Sequence, residues 1–255
     1  MGPYTAVLLA GSRPGGDPLS RSLGVDFKPL LPVAGEPMVL RPLRALLAAA
    51  SVGEVLVLTQ ETERLAAVLP SDARVRIERS GATLAATLTG LLAAPATRFP
   101  LLVTTADHAL LTPAMVEEFV VGAAGSDLAI GVVSRTAMLR RFPDAQRTWL
   151  RFGRERYSGA NLFALNTPAA AAGVERWRSI EQDRKKGWRV LLQMGWPLFL
   201  GAVLRVRDIH GTAAAFGRRL GLGLSAVVMG DPLAAIDVDK PADHELVTAI
   251  LEGRA

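Results

Sequence analysis

Short apolar runs alternate with longer stretches rich in alanine and leucine through the first half of the chain. Apolar runs of about four to eight residues, bounded by polar residues, glycine or proline, are typical of buried strands. On this criterion we predict strands over residues 5–10, 54–59, 74–78, 100–105, 128–133 and, near the end of the chain, 224–229.

The longer stretches between these runs are predicted to be helices. They cover residues 37–50, 61–68, 83–94 and 112–122, and a last helix starts at Ala242. Thr112-Pro113 combines an N-cap residue with proline at the first helical position, which is a helix start signal. Strands alternating with helices predict an α/β fold, with a mostly parallel central sheet and helices on both faces. Ligands of such sheets bind beyond the carboxyl ends of the strands, here the loops after Ala10, Glu78 and Thr105.

Residues 135–219 break this alternation. This segment is rich in arginine and contains one strand-like piece at 157–165. We interpret it as an insertion in a single domain of residues 1–255, whose core is formed by 1–134 and 220–255. The segment has 17 Lys and Arg against 6 Asp and Glu, a net charge of +11, whereas the whole chain carries +5. Such a segment indicates an anionic partner: a phosphate substrate, a nucleic acid or an acidic lipid.

The composition of the chain excludes several kinds of site and argues against some classes of protein. Without cysteine the chain can form no disulfide, iron–sulfur cluster or thiolate zinc site, and we expect a cytoplasmic location. The three histidines lack zinc-ligand spacing. Low aromatic content argues against nucleic acid as a partner, because single strands bind by stacking. No apolar stretch approaches the roughly 20 residues needed to span a bilayer.

Residues 188–207 contain an apolar run with basic residues on both sides. Basic flanks with tryptophan and leucine are typical of segments that lie on anionic membranes. Three interpretations remain open: a buried core helix, a homodimer contact, and a peripheral contact with the inner face of the membrane.

The loop after the first strand contains glycine, serine and arginine. Glycine lets backbone N–H groups approach an anion closely, so Ala10, Gly11 and Ser12 are candidates to bind phosphate. The alternative is a mobile loop whose cations are solvated.

Carboxylates occur at two places far apart in the sequence. Asp107 follows a buried strand, whereas Asp237, Asp239 and Asp243 lie near the end of the chain. Mg²⁺ prefers one or two carboxylates together with substrate phosphates and water, so the two places could share one ion. The alternative, which we prefer for Asp243, is that these residues cap a strand end and a helix start.

Two motifs resemble one known family. The string A-G-x(n)-R-x(n)-K-P-L-L-P-V-x-G-x-P-M near the start and D-x-D-x-P-x-D-x-x-L at 237–246 resemble the opening and closing motifs of the MobA-like nucleoside-triphosphate transferases. The resemblance implies a three-layer, Rossmann-like nucleotide-diphospho-sugar transferase fold. It implies Mg²⁺-dependent transfer of a nucleotide from a nucleoside triphosphate to a phosphomonoester, with release of pyrophosphate. Its usual G-x-G-T-R is replaced here by Gly11-Ser12-Arg13, so Arg21 is an alternative to Arg13 as the loop arginine.

The resemblance also implies roles for individual residues. It assigns catalysis to Lys28 and Arg13, and the phosphate-binding backbone to Ala10, Gly11 and Ser12. The base would be read by Ser80, Gly81 and Thr83. Mg²⁺ would be held by Asp107 and Asp239, with Asp237 as the alternate. The acceptor would be bound by Tyr157, Ser158, Gly159, Asn161, Arg184 and Lys185.

The resemblance favours CTP as the triphosphate and a sugar- or alcohol-phosphate as the acceptor. Two other functions compete with this one. A glycosyltransferase of the related GT-A fold would use Asp237-Val238-Asp239 as its D-x-D metal motif. A non-catalytic module would bind a nucleotide or an acidic membrane through residues 135–219. Release of pyrophosphate separates the transferase from both.

Overall fold

The strands occur where the apolar runs predict them, within about two residues at each end. The computed structural model describes residues 2–12, 16–81, 83–182 and 207–254. Its strands are β1 (Tyr4–Leu9), β2 (Pro32–Val33), β3 (Glu36–Pro37), β4 (Val52–Thr59), β5 (Val75–Arg79), β6 (Leu101–Thr105), β7 (Leu128–Ser134), β8 (Leu150–Phe152), β9 (Glu155–Leu165) and β10 (Leu224–Val228).

The central sheet has the strand order β10-β7-β9-β6-β1-β4-β5, and β8 pairs with the outer part of β9. The β1 strand pairs in parallel with β4 and β6, β4 with β5, and β7 with β10. The carboxyl ends of β1, β4, β5 and β6 therefore lie at one edge of the sheet, as a mostly parallel α/β sheet requires.

The β9 strand lies inside the sheet, antiparallel to both β6 and β7. It comes from the arginine-rich segment that we interpreted as an insertion, so this segment contributes a central strand. Its pairing with β7 is irregular: Ile130 lies opposite Phe163, but Val132 lies opposite Gly159. Two extra residues of β9 form a bulge there, and Asn161 within it has a φ of +48°. Bulges of this kind turn a side chain away from the regular alternation.

Helices cover both faces of the sheet. They are α1 (Pro18–Ser22), α2 (Leu40–Ala48), α3 (Thr62–Ala66), α4 (Leu84–Ala93), α5 (Pro113–Ala123), α6 (Arg135–Arg141), α7 (Ala171–Gln182), α8 (Ile209–Leu220) and α9 (Pro241–Leu251). The Oγ1 of Thr112 caps α5 by accepting the N–H of Met115, which confirms the start predicted there.

Two apolar clusters fill the space between the sheet and these helices. The larger includes Phe27, Met38 and Phe119, and the smaller includes Val7, Leu58 and Leu88. Alternate residues of β1 belong to different clusters, so β1 is buried on both faces, as a central parallel strand must be. The predicted fold class is confirmed. Within the described ranges no helix has the length and apolar character needed to cross a bilayer.

Candidate active site

Lys28 joins the two places where the sequence has carboxylates. Its Nζ donates to Oδ2 of Asp107 at 2.9 Å and to Oδ1 of Asp239 at 2.6 Å. Only 11% of the Lys28 side chain is exposed, compared with 20% for Asp107 and 43% for Asp239. The three groups converge at the carboxyl edge of the sheet, from positions that span 211 residues of the sequence.

The convergence follows from how each residue is held. Asp107 follows β6, and the hydroxyl of Thr105 donates to its Oδ1 at 2.5 Å, which leaves Oδ2 directed at Lys28. The backbone N–H of Val238 donates to the carbonyl oxygen of Asp107 at 3.0 Å, so the loop that carries Asp239 is bound directly to the end of β6. Lys28 itself begins a short 3₁₀ turn that includes Pro29 and Leu30.

The charges of this cluster support one another. Burial by itself would lower the pKa of Lys28, but the nearby carboxylates of Asp107 and Asp239 raise it above its ordinary value. Lys28 is therefore a permanent cation in this environment. A fixed ammonium that lines a cavity is suited to stabilise the oxygens of a phosphate.

Asp237 lies near this cluster but has a different partner. Its Oδ1 accepts Nη1 of Arg147 at 2.6 Å, and Nη2 of the same guanidinium donates to Asp243 at 3.1 Å. Asn161 donates to the second oxygen of Asp237 at 3.4 Å. Burial and the neighbouring carboxylates of Asp239 and Asp107 raise the pKa of Asp237. The positive charge of Arg147 acts in the opposite direction and reduces this increase.

Asp243 also contributes to the start of α9. Its Oδ2 accepts the backbone N–H groups of Asp239, at 3.3 Å, and Lys240, at 3.0 Å. This is the role as a helix start that we preferred for it. Because Asp243 binds Arg147 as well, the guanidinium, the helix start and the Asp239 loop form one connected unit.

His108 lies directly after Asp107 but is only 1% exposed. Its Nδ1 lies 3.3 Å from the hydroxyl of Thr104, and its Nε2 has no hydrogen-bond partner within the described residues. Burial lowers the pKa of His108 to about 4, although the charge of Asp107 acts in the opposite direction. The imidazole is therefore neutral at pH 7.

A cavity of about 430 Å³ opens beside Lys28 and Asp107. Its size is typical of pockets for small ligands. The lining includes every described residue predicted to bind the nucleotide except Ala10, namely Gly11, Ser12, Ser80, Gly81 and Thr83. Among its other lining residues are Asp17, Gln60, Thr87 and Trp177, which the sequence analysis did not single out.

Gln60 connects the two loops predicted to bind the nucleotide. The N–H of Ser12 donates to its Oε1 at 3.0 Å, and its Nε2 donates to the carbonyl oxygen of Gly81 at 3.4 Å. A Cβ at Gly11 would lie 2.8 Å from that Oε1, so glycine is needed while Gln60 makes these bonds. Gln60 comes directly after β4, just as Ala10 follows β1. Its position at a strand end was the signal that could have identified it.

The loop after β5 is ordered by its own threonines. The Oγ1 of Thr83 caps α4 by accepting the N–H of Ala86, and the Oγ1 of Thr87 accepts the N–H of Gly81. Thr83 is therefore the N-cap residue of α4. Ser80 lines the cavity, and its hydroxyl is buried without a hydrogen-bond partner among the described residues.

Four of the residues predicted to bind the acceptor, Tyr157, Ser158, Gly159 and Asn161, lie along β9. Asn161 contacts Asp237, so the strand predicted to bind the acceptor approaches the late aspartates. Ser158 is buried, Gly159 is exposed, and the ring of Tyr157 packs at 6.2 Å from that of Phe152.

Several predicted residues cannot be placed. Arg13, Arg184, Lys185 and all of the apolar 188–207 segment except Arg207 fall outside the described residues. Arg21, the alternative loop arginine, is exposed on α1, and its side chain lies beside Gly16.

The sequence of the chain matches a known domain over most of its length. The profile of the MobA-like NTP transferase domain matches residues 6–200. The chain belongs to the MobA-like NTP transferase family. Family membership makes it a nucleotidyltransferase, and it favours this activity over a glycosyltransferase or a non-catalytic module.

Solved structures of other proteins agree with the assignment of this chain to the family. A hypothetical transferase from Thermus thermophilus superposes with a TM-score of 0.78 and 27% identity, over 96% of this chain and 100% of that one. A CMP:2-keto-3-deoxy-manno-octonic acid synthetase complexed with CTP superposes with a TM-score of 0.62 and 16% identity, over the whole of both chains. The 2-C-methyl-D-erythritol 4-phosphate cytidylyltransferase of Thermus thermophilus superposes with a TM-score of 0.54 and 19% identity, over 98% of this chain and 99% of that one. The last two show a shared fold. Comparison with curated protein sequences finds no significant match.

Mg²⁺ was predicted at Asp107 and Asp239. In the part of the transferase that the structure describes, no three acidic or histidine side chains come together as a metal site. Asp107 and Asp239 nevertheless bind one cation in common, the ammonium of Lys28. Two carboxylates are a donor set that suits Mg²⁺ when substrate phosphates and water complete its coordination. The residues present therefore fit the ion.

Proposed function

We propose that the chain transfers a nucleotide from CTP to a phosphomonoester, a sugar- or alcohol-phosphate, and releases pyrophosphate in a Mg²⁺-dependent reaction. The observation that supports this most is the contact of Lys28 with both Asp107 and Asp239 beside the cavity. CTP is favoured because the synthetase of similar fold was solved with CTP and the other neighbour is a cytidylyltransferase.

Lys28 has the central role in this proposal. Attack of the acceptor phosphate on the α-phosphorus concentrates negative charge on the oxygens around that atom. The ammonium of Lys28, permanently charged and only 11% exposed, stabilises that charge in a site largely removed from water. The backbone at Gly11 and Ser12, held by Gln60, orients the triphosphate so that pyrophosphate leaves in line with the attack.

Asp107 and Asp239 are the residues that would hold Mg²⁺. When bound, the ion neutralises phosphate oxygens and so assists the departure of pyrophosphate. The hydroxyl of Thr105 orients the Asp107 carboxylate, and the bond between Val238 and Asp107 fixes the distance between the two acids. Asp237 is bound by Arg147 and Asn161, so we assign the metal to Asp239 rather than Asp237.

The acceptor would bind beside β9, near the late aspartates. The support is that Asn161 of β9 reaches Asp237, which brings the predicted acceptor strand to the late aspartates. The basic segment 135–219 remains our prediction for the acceptor side, since a phosphomonoester is anionic.

A screen of pyrophosphate release tests the proposal. The purified chain is incubated with each of CTP, ATP, GTP and UTP against a panel of phosphomonoesters, in Mg²⁺ and in EDTA. We expect release with CTP and at least one sugar- or alcohol-phosphate, and none in EDTA. Release that requires no acceptor, or that persists in EDTA, would contradict the proposal.

A further inference from the structure

One wall of the cavity is apolar. Leu9 is the last residue of β1, and Leu58 is the residue before the last of β4. Leu84 begins α4, and Trp177 lies on α7, which packs against α4. All four belong to, or pack against, the smaller apolar cluster. Lys28 and Asp107 line the same cavity and are charged. One continuous space therefore has a charged part and an apolar part, as a nucleotide does.

Trp177 is partly buried, and it is the one aromatic residue among the described residues that line the cavity. Its ring packs against that of Phe163, with centroids 5.3 Å apart and an angle of 34° between the planes. Phe163 lies on β9 opposite Val103, two residues before the carboxyl end of β6. Phe163 therefore supports the indole at the edge of the sheet from which Asp107 emerges.

Polar groups accompany this apolar wall. The hydroxyl of Ser80 is buried without a hydrogen-bond partner among the described residues, and Ser80 lines the same cavity. A cavity whose lining includes both a planar aromatic side chain and polar residues suits a nucleobase, which has apolar faces and a polar edge. Stacking on an aromatic side chain tolerates any base, because every base has a π-face.

We propose that Trp177 stacks on the nucleobase of the triphosphate and is a binding residue of this site. This inference rests on the proposed function, since it takes a nucleoside triphosphate as the ligand. Trp177 supplies affinity for the base, whereas Lys28 supplies affinity for the phosphates.

Binding without the acceptor tests this inference. The dissociation constant of CTP, in Mg²⁺, is measured by calorimetry for the unchanged protein, Trp177→Leu and Trp177→Phe. Inorganic tripolyphosphate, which has no base, is measured in parallel. We expect Trp177→Leu to weaken CTP binding by about 5- to 50-fold and Trp177→Phe by much less, with tripolyphosphate binding unchanged in both.

The matched control is Trp149→Leu. Trp149 packs against the larger apolar cluster and does not line the cavity, so this variant should leave CTP affinity unchanged. If Trp177→Leu does not fold, quenching of tryptophan fluorescence by CTP replaces it: the quench should be present in the unchanged protein and largely lost in Trp177→Phe.

The outcomes separate the two proposals. Equal CTP affinity in the unchanged protein and Trp177→Leu would overturn the stacking role alone, as would an equal loss for CTP and tripolyphosphate. For the fluorescence measurement, a quench retained in Trp177→Phe would do the same. If the unchanged protein does not bind CTP, the proposed function fails together with this inference.

Discussion

The Nζ of Lys28 lies 2.6 Å from Oδ1 of Asp239, although 211 positions separate the two residues. The contact closes the site, because it binds the loop before the last helix to a turn near the start of the chain. The hydrogen bond from Val238 to the carbonyl oxygen of Asp107 holds the same loop to β6. The two carboxylates therefore face one cation only when the chain is completely folded.

Replacing Lys28 should remove most of the activity and little of the fold. Lys28→Met keeps the length of the side chain but loses the charge that stabilises the phosphate oxygens. Loss of one such group costs roughly 10²- to 10³-fold in rate. We expect this decrease in kcat for pyrophosphate release. An unchanged kcat in a variant that gives the normal circular dichroism spectrum would rule out the assigned role.

The same substitution should tighten metal binding in the protein without nucleotide. Lys28 neutralises Asp107 and Asp239 at 2.9 and 2.6 Å, so a divalent ion must compete with its ammonium. In Lys28→Met that competition is absent. Titration with Mn²⁺, followed by electron paramagnetic resonance, should show a lower dissociation constant for the variant. Weaker or equal Mn²⁺ binding would show that the metal does not use these two carboxylates.

Arg147 is expected to contribute to stability. It binds Asp237 and Asp243 with only 11% of its side chain exposed, so Arg147→Met leaves two partly buried carboxylates without their cation. Removing one member of such a group is destabilising, here by about 2–3 kcal/mol in the free energy of unfolding. Urea denaturation measures this difference.

The control for Arg147 is Arg44→Met. Arg44 binds Glu36, but 56% of its side chain is exposed. Exposed pairs contribute about 0–1 kcal/mol, so this variant should unfold almost like the unchanged protein. Equal effects of the two substitutions would show that burial of Arg147 does not matter.

His108 should make stability depend on pH. Its pKa in the folded chain is about 4, below the ordinary 6.5, so only the unfolded chain takes up a proton between these values. Above pH 6.5 both states carry a neutral imidazole, and His108 costs no stability. As the pH falls from 6.5 towards 4, protonation of the unfolded chain lowers the free energy of unfolding, by up to roughly 3 kcal/mol. Urea midpoints between pH 7 and 4 should fall more steeply for the unchanged protein than for His108→Gln. Parallel pH profiles would contradict the burial of a neutral imidazole.

The sequence indicated the parts of the site that depend on strand ends. Asp107 follows an apolar run that became β6, and Ser12 follows the run that became β1. Because parallel strands end at one edge, the apolar pattern alone predicts that these residues lie near each other. That Lys28 and Asp239 belong to one site was implied only by the family motifs, since nothing local connects them, and their direct contact was not predicted.

Other features depend on contacts that no local pattern reveals. The position of β9 between β6 and β7 follows from the pairing of the whole sheet. An apolar run in the sequence does not show whether its strand will be parallel or antiparallel to its neighbours. Arg147 lies in a loop among many arginines, and its bond to Asp237 is visible only after folding. Trp177 sits on a helix whose pattern does not distinguish a core residue from one that faces a cavity.

The most direct test of the account is the rate of pyrophosphate release by Asp107→Asn. Its control is Asp72→Asn, because Asp72 binds Arg74 just before β5, at the opposite edge of the sheet. The account predicts that Asp107→Asn lowers kcat/KM by at least about 10²-fold, while Asp72→Asn leaves it unchanged. If a correctly folded Asp107→Asn releases pyrophosphate as fast as the control, nucleotide transfer does not take place at the cluster of Lys28, Asp107 and Asp239.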